Sequence, residues 1–104
     1  MSLTAKVGDR FRSITCTTEV VVVKAPPSAV DLRCGGAPVV PVAEPGGVTA
    51  TPAVPFDGGT LVGKRYTTED GLLEVLCTTP GAGALAVGGV LLDVKQAKPL
   101  PSSD

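Results

Sequence analysis

Glycine and proline interrupt this chain so often that long helices are disfavoured throughout. The 104 residues include 13 Gly and 10 Pro, and both types destabilise a helix interior. The short runs between them are rich in Val, Thr and Leu, and none has the i, i+3, i+4 apolar spacing of an amphipathic helix. The pattern predicts strands near 10–15, 18–24, 30–33, 39–42, 60–66, 72–77, 84–87 and 90–94. We therefore expect an all-β fold, a small sandwich or partly open barrel of seven to eight short strands.

Two dipeptides have the chemistry of tight hairpin turns. Asp70-Gly71 and Gly88-Gly89 both supply the positive φ angles that two-residue turns require. Each dipeptide therefore predicts a hairpin between the strands on its two sides.

A single domain, 1–104, is expected to contain two similar halves. Each half has a Cys-Thr-Thr passage, at Cys16 and at Cys77, followed by an apolar strand and a Gly-Gly pair. We place the halves at 7–42 and 59–95, with their thiols at matching positions. This pseudo-repeat predicts two small β units that pack face to face.

Two segments lie outside these halves. Residues 43–58 are rich in Pro and Gly and are expected to form a long loop. That loop either spaces the two halves or acts as a flap or partner-binding arm. The tail, 96–104, is expected to lie extended on the surface.

Charge and aromatic content argue against nucleic acid as a partner. Nine Lys and Arg against ten Asp and Glu give a formal net charge of −1, and 3% of the residues are aromatic. The charged N-terminus precedes no apolar signal region, and the longest apolar run, 20–23, is far too short to span a bilayer. We expect a cytoplasmic protein with no membrane partner, whose three cysteines are reduced thiols.

Residues 16–19 (CTTE), the Val-rich strand after them and residues 32–39 (LRCGGAPV) form the most distinctive passage. It resembles the desulforedoxin-like domain, in which a Cys-x-x-Cys turn is followed by a strand and a Cys-Cys-Gly-x-Pro-Met turn. In this resemblance Cys16 matches the first ligand and Cys34 lies in the second turn. Glu19 and Gly35 stand where further Cys ligands would be, so the four-thiolate iron site of the family is absent from this half. The resemblance implies a metal-binding or electron-transfer ancestry.

The three cysteines are the candidate metal ligands. Tetrahedral Zn or Fe sites need four ligands, and the chain has no His. Cys16, Cys34 and Cys77 would thus be joined by water or by one of the carboxylates Glu19, Asp31 and Glu74. No Cys-x-x-Cys pair preorganises such a site, and the alternative is three buried thiols that act as small apolar side chains. No cofactor is expected unless Zn or Fe binds here.

Catalysis by a cysteine has less support in the sequence. Without His, the usual Cys-His arrangement cannot form. Nearby Lys or Arg side chains could lower a thiol pKa, but Arg33 and Cys34 are adjacent on a strand and are expected to point to opposite faces. A thiol enzyme or redox sensor is therefore the third functional hypothesis.

One compact cluster combines basic and aromatic residues. Lys64, Arg65 and Tyr66, with Phe56 from the loop, are the candidate partner-binding residues, and a solvated strand face is the alternative. The first hypothesis is therefore a non-catalytic interaction module or accessory subunit that binds a protein partner or a second copy of itself. The second is a degenerate desulforedoxin-like protein that binds Zn or Fe, or transfers electrons, through its three cysteines.

Overall fold

Ten short β-strands provide the regular structure of residues 2–95, the part of the chain that the computed structural model describes. These residues contain no helix, so the all-β prediction is confirmed, with two to three strands more than expected. The predicted tail, 96–104, lies outside the described residues. The strands are β1 (Arg10–Arg12), β2 (Glu19–Lys24), β3 (Leu32–Cys34), β4 (Ala37–Pro38), β5 (Val40–Pro41), β6 (Arg65–Thr67), β7 (Glu74–Thr79), β8 (Leu85–Val87), β9 (Val90–Leu91) and β10 (Asp93–Val94).

The larger sheet has six antiparallel strands in the order β10-β6-β7-β2-β1-β5. The two longest strands, β2 and β7, form its centre and pair Val20 with Cys77 and Val22 with Val75. Val20 and Val22 are buried, whereas Val23 is 36% exposed. Because successive side chains of a strand face opposite sides, this alternation turns one face of the sheet towards the core.

The smaller sheet has four antiparallel strands in the order β4-β3-β8-β9. A Gly-Gly pair forms the turn of each of its two hairpins. Gly35-Gly36 connects β3 to β4, and Gly88-Gly89 connects β8 to β9. Gly35 and Gly36 have φ values of 68° and 89°, and Gly88 has 58°. These left-handed angles favour glycine, and the predicted turn at Gly88-Gly89 is confirmed.

The chain passes from one sheet to the other at Val39 and again at Leu92. Each residue separates a strand of the smaller sheet from a strand of the larger one, β4 from β5 and β9 from β10. Each also donates its backbone N–H to a residue of the smaller sheet, Val39 to Leu32 and Leu92 to Leu85. The predicted strand 39–42 contains β5, Val40–Pro41. The segment predicted as a single strand at 90–94 was wrong, because the chain bends at Leu92 and forms β9 and β10 in different sheets.

The core consists almost entirely of aliphatic side chains. Phe11 and Tyr66 are its only aromatic members among residues 2–95. Cys34 and Cys77 are buried in it, and Cys16 packs against it from a half-buried position. The remaining buried members are Ala5, Val20, Val22, Leu32, Val39, Leu73, Val75 and Leu85.

The strand orders of both sheets are unchanged when β1–β5 are exchanged for β6–β10. Under this exchange β2 corresponds to β7, but the two Cys-Thr-Thr passages do not correspond. Cys16 lies in the irregular connection 13–18 before β2, whereas Cys77 lies inside β7. The expectation that the thiols occupy matching positions was therefore wrong, because the Cys-Thr-Thr sequence lies in an irregular connection at 16–18 and in a strand at 77–79.

The connection between β6 and β7 also differs from the prediction. The two strands pair as expected, but they are joined by six residues, 68–73, and Asp70-Gly71 lies inside this loop. The Asp70 carboxylate accepts hydrogen bonds from the Leu72 N–H (2.9 Å) and the Thr68 hydroxyl (2.6 Å). These bonds stabilise a wider turn than the dipeptide alone indicated.

Residues 43–58 contain no strand. Their backbone is held against the first half by hydrogen bonds from Thr49 N–H to Ile14 O (2.8 Å) and from Ala53 N–H to Gly35 O (3.0 Å). None of the elements within 2–95 is a helix of the length and hydrophobicity needed to cross a membrane.

The buried leucine of β3 provides a test of the core. Leu32 is 0% exposed, so Leu32→Ala should lower the free energy of unfolding by about 2–5 kcal/mol through lost burial and a residual cavity. Leu61 is 62% exposed, and Leu61→Ala should change stability by less than ~0.5 kcal/mol. Urea denaturation measures both, and equal losses would contradict the assignment of the core.

Candidate functional site

Two of the three cysteines meet at the end of the smaller sheet. The Sγ atoms of Cys16 and Cys34 lie 3.9 Å apart. Cys34 is the last residue of β3 and is fixed in the ladder opposite Ala37 and Leu85. Cys16 comes from the connection 13–18, which joins no ladder. The site therefore combines one thiol on a rigid strand with one thiol on a loop.

Short hydroxyl side chains shape the loop that carries Cys16. The Ser13 N–H donates to Thr18 O (2.9 Å) and closes the loop. Ser13 Oγ accepts a bond from the Thr15 N–H (3.0 Å), a local turn that Ser readily forms. The Thr15 hydroxyl donates to Cys34 O (3.2 Å) and thus joins the loop to the end of β3.

Hydrogen-bond donors surround the Cys16 sulfur. The backbone N–H of Gly83, from the connection between β7 and β8, donates to it at 3.3 Å. Thr18 Oγ1 lies 3.2 Å from the same sulfur and also shares a hydrogen bond with the hydroxyl of the buried Thr60. When Cys16 is ionised, the Thr18 hydroxyl donates to the thiolate while the Thr60 hydroxyl donates to Thr18.

The pKa values of the two thiols are shifted in opposite directions. Burial raises the pKa of Cys16, but hydrogen bonds from Ser13, Thr18 and the Gly83 backbone outweigh it and lower the pKa to about 6. Burial raises the pKa of Cys34 to about 12, and the neighbouring charge of Cys16 acts in the same direction. At neutral pH the pair is therefore a Cys16 thiolate beside a Cys34 thiol, and the Cys34 S–H is the donor between them.

Two glycines leave room for the Cys16 sulfur. A β-carbon at Gly81 would lie 2.6 Å from the Thr18 nitrogen and 2.9 Å from Cys16 Sγ. A β-carbon at Gly83 would lie 3.1 Å from the same sulfur. Gly35 is similarly constrained, because a side chain there would overlap the Thr15 hydroxyl. The position that the family resemblance assigns to a further Cys therefore has no room for one.

A cleft of about 300 Å³ opens onto Cys16. One wall comes from the first half and includes Arg12, Ser13 and Thr18, and the other comes from the loop 43–58 and includes Gly47 and Val48. The Arg12 guanidinium donates to Gly47 O (3.4 Å) and to Glu44 O (3.2 Å), and so holds this part of the loop in place. The long loop thus forms part of the site.

Cys77 does not join the other two thiols in a chelating group. Its S–H donates to Thr79 O (3.2 Å), and burial raises its pKa. Within 2–95 no three His, Cys, Asp or Glu side chains are grouped so that they could hold a metal ion.

The three carboxylates considered as a fourth ligand have different surroundings. Glu19 lines the cleft of Cys16. Asp31 pairs with Arg33 Nε at 3.0 Å, and Glu74 is buried and pairs with Lys95 Nζ at 2.9 Å. Of the three carboxylates, only Glu19 lines the cleft that opens onto Cys16.

The predicted partner-binding residues are separated by the fold. Tyr66 is 6% exposed, and its hydroxyl accepts the Leu61 N–H (2.9 Å), so it is a core residue and not an exposed contact. Arg65 Nη1 lies 3.5 Å from a carboxylate oxygen of Glu74, and Lys64 is exposed. Phe56 is half-buried beside Gly36, in a groove of about 370 Å³ that does not include Lys64 or Arg65.

Sequence reasoning missed the groups that make Cys16 acidic. It looked for a His or a cation beside each thiol, whereas the structure uses hydroxyls and a backbone N–H. The Ser-Ile-Thr-Cys-Thr-Thr run, 13–18, was the available signal for the hydroxyls. Gly83 could not be found in this way, because it is 67 residues from Cys16 in the chain.

No family model, curated protein or solved structure matches this chain. The resemblance of residues 16–39 to desulforedoxin-like domains therefore stays a prediction. The chemistry of the site follows from its geometry alone.

Alkylation rates test the acidity of Cys16. With a pKa of about 6, its reaction with iodoacetamide should rise about tenfold between pH 5 and pH 7 and be half-maximal near pH 6. Cys34 and Cys77 should stay unmodified in the native protein because they are buried. Thr18→Val removes one donor and should move the midpoint upwards. Mass spectrometry locates the label, and a wild-type midpoint above pH 8 would contradict the assignment.

Substitution of a glycine tests the close packing around the sulfur. Gly81→Ala should lower the free energy of unfolding by about 1–3 kcal/mol, because its β-carbon would meet the Thr18 backbone. Gly58 has no atom within 4 Å of such a β-carbon, so Gly58→Ala should be neutral or slightly stabilising. Urea denaturation compares the two variants, and a Gly81→Ala protein as stable as Gly58→Ala would show that the contact can relax.

Proposed function

We propose that this protein is a thiol–disulfide redox protein that alternates between a Cys16/Cys34 dithiol and a Cys16–Cys34 disulfide. The observation that carries the proposal is the 3.9 Å separation of the two sulfurs. A disulfide has an S–S length of about 2.05 Å, so the sulfurs must approach by roughly 2 Å. Cys16 is free of the sheet ladders and Cys34 is not, so Cys16 makes most of this movement.

The opposite acidities of the thiols support a division of roles. Thiol–disulfide exchange begins with a thiolate, and Cys16 is ionised at neutral pH. Cys34 is buried and keeps its proton, so it does not react directly with an oxidant in solvent and becomes involved only after Cys16 has reacted. Cys16 is thus the entry point for oxidation, and Cys34 completes the disulfide.

The cellular setting is part of this proposal. A reduced resting dithiol agrees with the cytoplasmic location expected from the sequence, since reducing systems keep thiols free there. A disulfide that forms under oxidative stress would then act as a signal. The protein would be a redox sensor, with catalytic turnover dependent on a reductant that returns it to the dithiol.

An interaction module is the second candidate function. Three apolar side chains on the strands β9 and β10 are exposed, Val90 by 70%, Leu91 by 44% and Val94 by 41%. Both strands lie at sheet edges, where backbone groups are available to a protein partner or to a second copy. This role is compatible with a redox sensor that passes its state to another protein.

The metal-binding alternative has less support. Cys16 and Cys34 supply two sulfur ligands, but Cys77 joins no chelating group within the described residues. A Zn or Fe site at Cys16 and Cys34 would have to be completed by Glu19, by hydroxyls or by water. Such a site would lack the four protein ligands that complete the coordination of a structural zinc centre.

Oxidised glutathione tests the proposed function. It should convert the native protein to a form with an internal Cys16–Cys34 disulfide, which peptide mapping identifies. Because the bond closes a loop of about 18 residues, the oxidised form should gain about 2–4 kcal/mol of stability. Cys77→Ser should form the disulfide normally, and Cys16→Ser should not. A native protein in which Cys16 and Cys34 never pair would refute the proposal.

A further inference from the structure

The cleft indicates which oxidant reaches Cys16, and this inference rests on the proposed redox function. The sulfur is closed off on the side of Gly81 and Gly83, where even a β-carbon would approach it within 2.9 and 3.1 Å. Access is therefore through the cleft of about 300 Å³. A small hydroperoxide fits within this volume and can reach the sulfur directly.

The cleft holds charged side chains of both signs, the guanidinium of Arg12 and the carboxylate of Glu19. Arg12 lines it together with Cys16, and among residues 2–95 its guanidinium bonds to backbone carbonyls of the loop 43–58 and pairs with no carboxylate. A guanidinium stays charged at every physiological pH and has five N–H donors. A guanidinium in this cleft can therefore donate to an oxygen anion that forms there.

We propose that Cys16 reduces small hydroperoxides, with Arg12 stabilising the departing oxygen and Cys34 acting as the resolving cysteine. The Cys16 thiolate attacks the terminal oxygen of ROOH. A new S–O bond forms, the O–O bond breaks, and the oxygen anion RO⁻ leaves and takes up a proton from water to become ROH. Cys16 becomes a sulfenic acid, and the two electrons that reduce the peroxide come from its sulfur.

The second step forms the disulfide. Cys34 Sγ attacks Cys16 Sγ, the new S–S bond replaces the S–O bond, and the hydroxyl group leaves with the Cys34 proton as water. Oxidation of Cys16 to the neutral sulfenic acid removes the neighbouring charge that helps to raise the pKa of Cys34, so Cys34 can release its proton to the departing hydroxyl as the S–S bond forms. One hydroperoxide is therefore reduced for every two thiols oxidised. A thiol reductant then restores the starting state.

Thiolate content alone predicts only a small rate advantage. At pH 7 a pKa of about 6 gives roughly 30 times more thiolate than the ordinary value of about 8.5. The lower basicity reduces nucleophilicity by roughly tenfold, with the coefficient known for thiol–disulfide exchange. The net gain is about threefold, so any larger acceleration has to come from the cleft.

The test uses a variant with Cys16 as its only thiol, Cys34→Ala with Cys77→Ser. Its second-order rate constant with H₂O₂ at pH 7 should be at least about tenfold higher in the native state than in urea. Arg12→Gln in this variant should reduce the ratio to about threefold, which is the thiolate contribution alone. Arg10→Gln is the matched control, because Arg10 is exposed on the same strand outside the cleft and should leave the ratio unchanged.

The outcomes separate this inference from the proposed function. A native-to-urea ratio of threefold or less, or a larger ratio that Arg12→Gln leaves intact, would overturn the hydroperoxide proposal. Disulfide formation with oxidised glutathione would then still support the redox pair. If the single-thiol variant does not fold, the wild-type protein provides the measurement. It should consume one H₂O₂ per two thiols and form the Cys16–Cys34 disulfide with Cys77 intact, and any other stoichiometry would refute the mechanism.

Discussion

The antiparallel pairing of β2 with β7 is the constraint on which the rest of the structure depends. It places Glu19, at the start of β2, opposite Thr79, at the end of β7. The residues just before β2 therefore meet the residues just after β7. This is how Gly81 and Gly83 come to lie against the Cys16 sulfur, although they are more than sixty residues away in the chain. The pairing at this end of the two strands, where the register shifts between Glu19 and Val20, thus sets the surroundings of the Cys16 thiol.

The two ends of this central pair serve different purposes, although the strand orders are the same in both directions. At one end the connection 13–18 carries Cys16 and the buried hydroxyl of Thr18. At the other end the corresponding connection, 68–73, buries the apolar side chain of Leu73. Polar donors at the first end stabilise a thiolate, whereas apolar packing at the second contributes to the core. The same architecture therefore gathers polar groups around a thiol at one end and packs apolar side chains at the other.

The acidity of Cys16 shows what the site can do without a histidine or a paired cation. Hydrogen bonds to the charged form lower a pKa as effectively as a nearby charge, provided that several donors converge on one atom. Thr18 and Gly83 meet this condition because the loop and the glycine segment are held together by the sheet. Cys34 lies 3.9 Å away but receives the opposite shift through burial. Position within the fold, not residue type, thus distinguishes the two thiols.

Local patterns in the sequence determined the all-β class, the Gly88-Gly89 turn and the irregular segment 43–58, because each depends on the φ and ψ preferences of nearby residues. Only the tertiary structure decided which strands pair and where the chain bends between sheets, since alternation along a strand specifies a face but not a neighbour. For the same reason the repeated Cys-Thr-Thr passages did not indicate where the two thiols lie. The meeting of Cys16, Cys34 and Gly83 is a contact between distant segments, and no local signal encodes a distance between them.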